Sequence, residues 1–595
     1  MFSRKTIPFV LAVIFFIANL GFGQSLEENW NDFLHFTNIG HDLAKGYAQA
    51  LLDSKPDPVQ LLALSEANPA GYALLLRVIE THPDPEMVEL GKKVLDIIEE
   101  GRFIRRADPK IIVAEIKRLS TTKRGWQTGV KRLQNAGEYA IPFMLDAIAD
   151  RSRQEEWPSI KPAIPRIGRE AIRPLVAALQ TDNVAVKTEI VKALGGIKYP
   201  QALAYLKYVI EKEDSVELRG EAVQSIKQID PGTLKVPAAK LFYRLAEDYY
   251  YHAQSLAAPE DAPFANIWFW NPETRRLTRE KVDKSYFNEL MAMRACEWGL
   301  RANPEFGDAI GLWVAAFFKA ESANVQMPNY FGQGHPTAFV YATTAGAEYL
   351  HQALARAIKD RNAYVALSTV EALAVTAGEK SLLYRLGPTQ PLVQALSFGD
   401  RAVRYSAAIA VAEAGPKRRF PEAKLVTGNL AEALGQNAQA IEEANGWTRQ
   451  LAHSYAVRAA SAMLKLAHTR NRVIDLSAAQ KALISATNDN RPDVQILTGQ
   501  VLAHLKSPDA QRAIAAMALA ETNTMVVRIE AFGSLAVSAK LNANLLDEQT
   551  IDAIYSLVSS REIEPVLRGA ASTAYGALNL PSRKVKDLIL DQAKS

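Results

Sequence analysis

The chain has 595 residues, 48% of them hydrophobic and 23% charged, so it is too long for one globular core and too apolar for wholesale disorder. Lys and Arg number 69 against 65 Asp and Glu, a net charge of +4 that lacks the imbalance of a general nucleic-acid binder. Cys296 is the single cysteine, which excludes an intrachain disulfide, c-type haem attachment and any multi-cysteine metal site.

Residues 1–23 begin with basic Arg4 and Lys5, continue through an apolar run from Ile7 to Ile17, and end on Gly21-Phe22-Gly23. That layout predicts a secretory signal peptide cut before Gln24, and hence a periplasmic or secreted protein. The apolar run is shorter than the roughly 20 residues that span a bilayer, so cleavage is expected rather than retention as an anchor. No later segment reads as a transmembrane span.

From about Leu26 onward the periodicity is helical and the breaks are short. An aliphatic residue followed by a basic one recurs at Val186-Lys187, Leu218-Arg219, Val403-Arg404, Val457-Arg458, Val527-Arg528 and Leu567-Arg568, each ahead of a run with small residues at regular spacing. Upstream lies another helical run, often with Pro near its start, as at Pro174 and Pro391, and an Asp/Asn turn separates the two. Pro is tolerated in a first turn because its missing N–H would have no partner there, and an Asx side chain caps the following helix. The Asp and the Arg four or five residues later are expected to pair across the turn. Small seam residues let neighbouring hairpins approach, so each repeat buries its apolar face only by stacking.

These residues resemble the HEAT-repeat family, including its bacterial PBS-lyase HEAT-like branch. The clearest units are 169–197, 199–229, 351–377 and 391–415, with weaker ones from Asn445 to Leu580. The resemblance implies an all-α fold, an α-solenoid of antiparallel helix pairs, and an interaction scaffold as the usual role; a few members assist pigment attachment. Two units depart from the pattern: Val365 stands where a basic residue is expected after Asp360, and Gln495 follows Val494.

The repeat is interrupted around 254–281, where Trp268-Phe269-Trp270, an Asn271-Pro272-Glu273-Thr274 turn and a polar return predict a β-hairpin insertion. Residues 292–304 resemble the second helix of a tetratricopeptide unit. A Gly/Pro loop over 321–341 carries Tyr330, Phe331 and His335, and a shorter break with Arg418, Arg419 and Pro421 spans 417–430. The resulting division is 1–23 signal peptide, 24–250 N-terminal repeats, 251–345 insertion region, 346–430 HEAT repeats and 431–595 C-terminal HEAT-like repeats.

Chemistry-bearing patterns are thin. His35 and His41 are six apart, not the spacing that puts two ligands on one helix face. Adjacent acids such as Glu99-Glu100 point about 100° apart on a helix and read as solvated surface. No cofactor, metal or catalytic residue is assigned. Residues 101–132 hold ten basic residues, Arg102, Arg105 and Arg106 among them, against Asp108 and Glu115, a local excess that would suit a polyanionic surface. Trp268 and Trp270 are candidate partner contacts if exposed, with burial in the solenoid seam as the favoured alternative. The sequence thus predicts a non-enzymatic scaffold for protein partners in the cell envelope, with nucleic acid disfavoured. Two other readings are an accessory or cofactor-handling protein with its site at the central loops, and a self-assembling envelope protein.

Overall fold

The computed structural model describes residues 25–258, 264–324, 327, 334–437, 443 and 446–593. Residues 1–23, read above as a signal peptide, and Tyr330 and Phe331 lie outside them. Among the described residues the fold is all-α with one two-stranded antiparallel sheet, and they divide into two units, essentially 25–304 and 305–593.

The first unit opens with helices whose starts are written in the sequence. Asp57-Pro58, Asn68-Pro69, Asp84-Pro85 and Asp108-Pro109 each place an Asx cap before a proline at the first helical position, and each cap side chain accepts from the backbone N–H groups ahead of it. The helices Leu26–Asn38 to Pro85–Ala107 enclose a common core around Trp30, Phe33, Leu51, Leu61, Leu75 and Ile98. Each such side chain contributes roughly 1.5–3 kcal/mol by leaving water.

Helix pairs follow. In the first, Ile172–Ala178 is joined to Val184–Ile197; in the second, Leu203–Lys212 is joined to Val216–Ile229. The seam between the pairs is close at Gly195, where a Cβ would lie 2.8 Å from the Ser225 Cα, and Ser225 Oγ donates to the Val191 carbonyl at 2.9 Å. The second unit repeats the plan in Ala347–Asp360 with Ala363–Thr376, in Pro391–Ala395 with Arg401–Ala414, and onward to Pro565–Ala577.

The aliphatic residue of the recurring pair is core and sits third in its helix at Val186, Leu218, Val403, Val527 and Leu567. Val457-Arg458 differs: it lies midway along Arg449–His468, because that helix is capped earlier by Thr448. Arg458 accordingly donates to Glu371 instead of to a turn. The predicted Asp–Arg pairing is also corrected. Asp400 accepts from the amides of Ala402 and Val403, whereas Arg404 donates to the carbonyls of Phe398 and Gly399. Arg219 does the same to Glu213 and Asp214, Arg528 to Ala518 and Arg568 to Ser560. The carboxylate fills the free amides of the helix start while the guanidinium fills the free carbonyls of the turn, so each satisfies backbone groups instead of its neighbour. Gln495 keeps this role without a charge, its Nε2 donating to the Thr487 carbonyl at 2.9 Å. The break near 417–430 is shorter than expected, since Ala423–Leu434 is helical.

The hairpin is formed by β1 (Phe264–Asn271) and β2 (Arg276–Asp283), with Trp268 opposite Arg279 and Trp270 opposite Leu277. It follows Ala238–Tyr250 and precedes Lys284–Ala302, two helices that pack on each other, so the insertion leaves a helix pair intact.

Candidate partner-binding surfaces

The hairpin side chains divide by the two-residue period of a strand. Phe264, Asn266, Trp268 and Trp270 share one face. The Phe264 ring meets Phe103 edge-on at 4.8 Å. Asn266 Nδ2 donates to Glu138 Oε1 at 2.7 Å and to the Tyr139 hydroxyl at 2.6 Å, and Trp268 Nε1 donates to Glu138 Oε2 at 2.8 Å. Arg173 adds a third donor to Glu138 at 3.3 Å. Glu138 is therefore a buried carboxylate that three donors share, two of them from a strand more than 120 residues away. Burial, together with the neighbouring Glu138 charge, pushes the Tyr139 hydroxyl up to about 12, so it remains protonated. On the opposite face Arg294 lies 4.3 Å from the centre of the Phe269 ring. A strand covered on both sides accounts for the run of aromatics, and Trp268, 5% exposed, is a docking residue rather than an open contact.

Trp270 is half-buried. With Leu277, Leu145 and Asp146 it lines a groove of about 370 Å³ beside the 181–183 turn. Burial raises the Asp146 carboxyl, and Arg276, 3.5 Å away, offsets this only in part.

Arg102, Arg105, Arg106 and Arg132 line a second groove of about 730 Å³. The sequence presents these arginines as a bare positive run, and the fold supplies their acids from elsewhere. Arg105 forms a two-pronged bond to Glu66 at 2.5 and 2.7 Å, which holds that carboxyl below its usual range. Arg102 pairs with Glu99, Arg106 with Glu170, and Arg118 and Arg132 with buried Glu115. Of the ten basic residues, the exposed remainder is Lys110, Lys117, Lys123, Arg124 and Lys131.

His335 belongs to the second unit, is half-buried, and stacks 6.3 Å from Phe317. Trp268 and Trp270 belong to the first unit. The described residues hold no group of three or more His, Cys, Asp or Glu able to bind a metal ion, and no helix long and apolar enough to cross a membrane.

The sequence reading missed a second feature. Val184 and Val216 open successive packed helices and are 49% and 67% exposed, while Val526 and Val566, each second in its helix, are 61% and 60% exposed on another packed pair. Equivalent repeat positions thus present aliphatics to water. The signal was available: a capped first turn has one side facing solvent, and an aliphatic there has no packing role.

A family model described as HEAT repeats matches residues 158–227, the two helix pairs of the first unit. Among solved structures, the karyopherin Kap121p, bound to the extreme C-terminus of the protein phosphatase Cdc14p, is 13% identical over 94% of this chain and 72% of its own, with a TM-score of 0.25. SYS-1 is 10% identical over 93% of this chain and 99% of its own, also with a TM-score of 0.25. An engineered protein is 14% identical over 92% and 99%, with a TM-score of 0.22. No curated protein matches the sequence. Residues 158–227 are thus similar to HEAT repeats, and the capped helix pairs elsewhere among the described residues follow the same all-α plan.

Proposed function

We propose that this chain is an exported, non-catalytic scaffold that holds protein partners on the exposed aliphatics at the starts of its second helices. The observation that carries the reading is their recurrence at equivalent positions, Val184 with Val216 and Val526 with Val566. Aliphatics repeated along one edge of a stack form an extended apolar strip, the kind of surface that partners cover. The signal-like residues 1–23 support export to the cell envelope.

The test is affinity capture from an envelope fraction with the parent chain and with Val184→Ser/Val216→Ser and Val526→Ser/Val566→Ser. The scaffold reading expects partners that the parent retains and at least one double variant loses, at unchanged unfolding midpoints. Capture that recovers nothing, or that all three proteins share, overturns it. Sedimentation of the purified chain separates partner binding from self-assembly, and N-terminal sequencing of the secreted or periplasmic form tests the cut before Gln24.

A further inference from the structure

Beyond protein binding, we infer that the first unit contains a site for a small organic anion, bearing a carboxylate or a phosphate, in the cavity between Arg169 and Arg173. The cavity measures about 520 Å³, within the range of small-molecule sites, and Gln201, Gln254 and Leu256 also line it.

Arg173 carries the argument. Its side chain is only 10% exposed, and its guanidinium has five N–H donors. The structure gives it one acceptor, Glu138 Oε2 at 3.3 Å, and the face of the Phe287 ring at 5.2 Å. Glu138 already accepts closer bonds from Asn266 at 2.7 Å and Trp268 at 2.8 Å, so Arg173 holds the weakest share of that carboxylate. The described residues give its other N–H groups no acceptor, and because Arg173 lines the cavity an anion there would supply one.

Arg169 lies four residues earlier on the same side of the chain and reaches the cavity from its exposed rim. It donates to the Ala257 carbonyl at 2.8 Å and stacks on Tyr199 at 5.6 Å, contacts that fix its fork without neutralising it. The acid on the wall, Glu170, is engaged by Arg106. Two guanidinium forks suit an oxyanion, and the Gln201 and Gln254 amides suit hydroxyl or carbonyl groups on the rest of the ligand.

The test is calorimetric titration of the full chain at low salt with inorganic phosphate, succinate and citrate. Saturable binding is expected for at least one probe, and the ranking of phosphate against the two carboxylates identifies the anion. Arg169→Ala is expected to weaken binding about tenfold or more, Arg173→Lys to weaken it while retaining the fold, and Glu170→Gln to strengthen it. Arg276→Ala, at the hairpin tip, is expected to leave it unchanged. No saturable binding of any probe overturns the inference, as does binding that Arg169→Ala and Glu170→Gln do not alter. The outcome is independent of whether a protein partner is found.

Discussion

The hairpin joint of the first unit and the C-terminal repeats of the second are stabilised by opposite strategies. Around Glu138 one carboxylate gathers donors from a strand and a neighbouring helix, so removing any member strands the others. Between Pro492 and Ala577 the helices meet mainly on apolar side chains, and the polar contacts fall into small separate sets: Gln495 with Thr487 and Asn523, Gln511 with Ser538 and Ala543, Asn542 with Ala503 and Leu505, and Arg528 with Ala518. A networked joint fails as a whole, whereas a repeat array loses stability in increments.

Glu138→Ala attacks the joint directly. It leaves Arg173, Asn266 and the Trp268 indole without their shared acceptor and is expected to cost about 3–5 kcal/mol. Hydrogen exchange should show the loss over β1 and β2, and exchange unchanged there would remove the network from the account. In the repeats, Arg528→Ala is expected to cost about 1–3 kcal/mol, since the Ala518 carbonyl loses its donor. The loss should be confined to the turn before Met525–Asn542; one that spreads through the second unit would erase the contrast. Asp400→Ala deletes a cap on two amides and is expected to cost about 1 kcal/mol, read from the denaturant midpoint.

The smallest effect is a pH dependence. Burial holds the His351 imidazole below its ordinary 6.5, and its Nε2 lies 2.8 Å from the Ser381 carbonyl. The unfolded chain then takes up the proton first as pH falls, so stability is constant above the unfolded value and declines from there down to the native one. Unfolding midpoints between pH 7.5 and 5 should fall for the parent and fall less for His351→Gln. Equal slopes would show that other groups set the acid response of this unit.

Much of the helical architecture was legible. Asx-Pro dipeptides mark four starts in succession because both residues solve the same problem of free amides. The aliphatic-basic pairs gave the register of the second helices, except at Val457, where an earlier Thr cap sets the start. The hairpin was legible from its aromatic run and its turn, in which Asn271 accepts from the amides of Glu273 and Thr274. The candidate surfaces were legible only in part. Arg102, Arg105 and Arg106 read as an open positive face, yet Glu66 and Glu170, 39 and 64 residues from their partners, come to meet Arg105 and Arg106.

The sequence by itself determined where helices begin, which positions face the core, and where the repeat is interrupted. Capping and periodicity act over a few residues, and a linear reading reaches that far. Tertiary structure alone decided that Glu138 becomes the anchor of a distant strand, that Trp268 is enclosed, and that Arg173 is left with donors facing a cavity. Burial and charge pairing depend on what the fold brings alongside, and a buried carboxylate is written with the same letter as an exposed one.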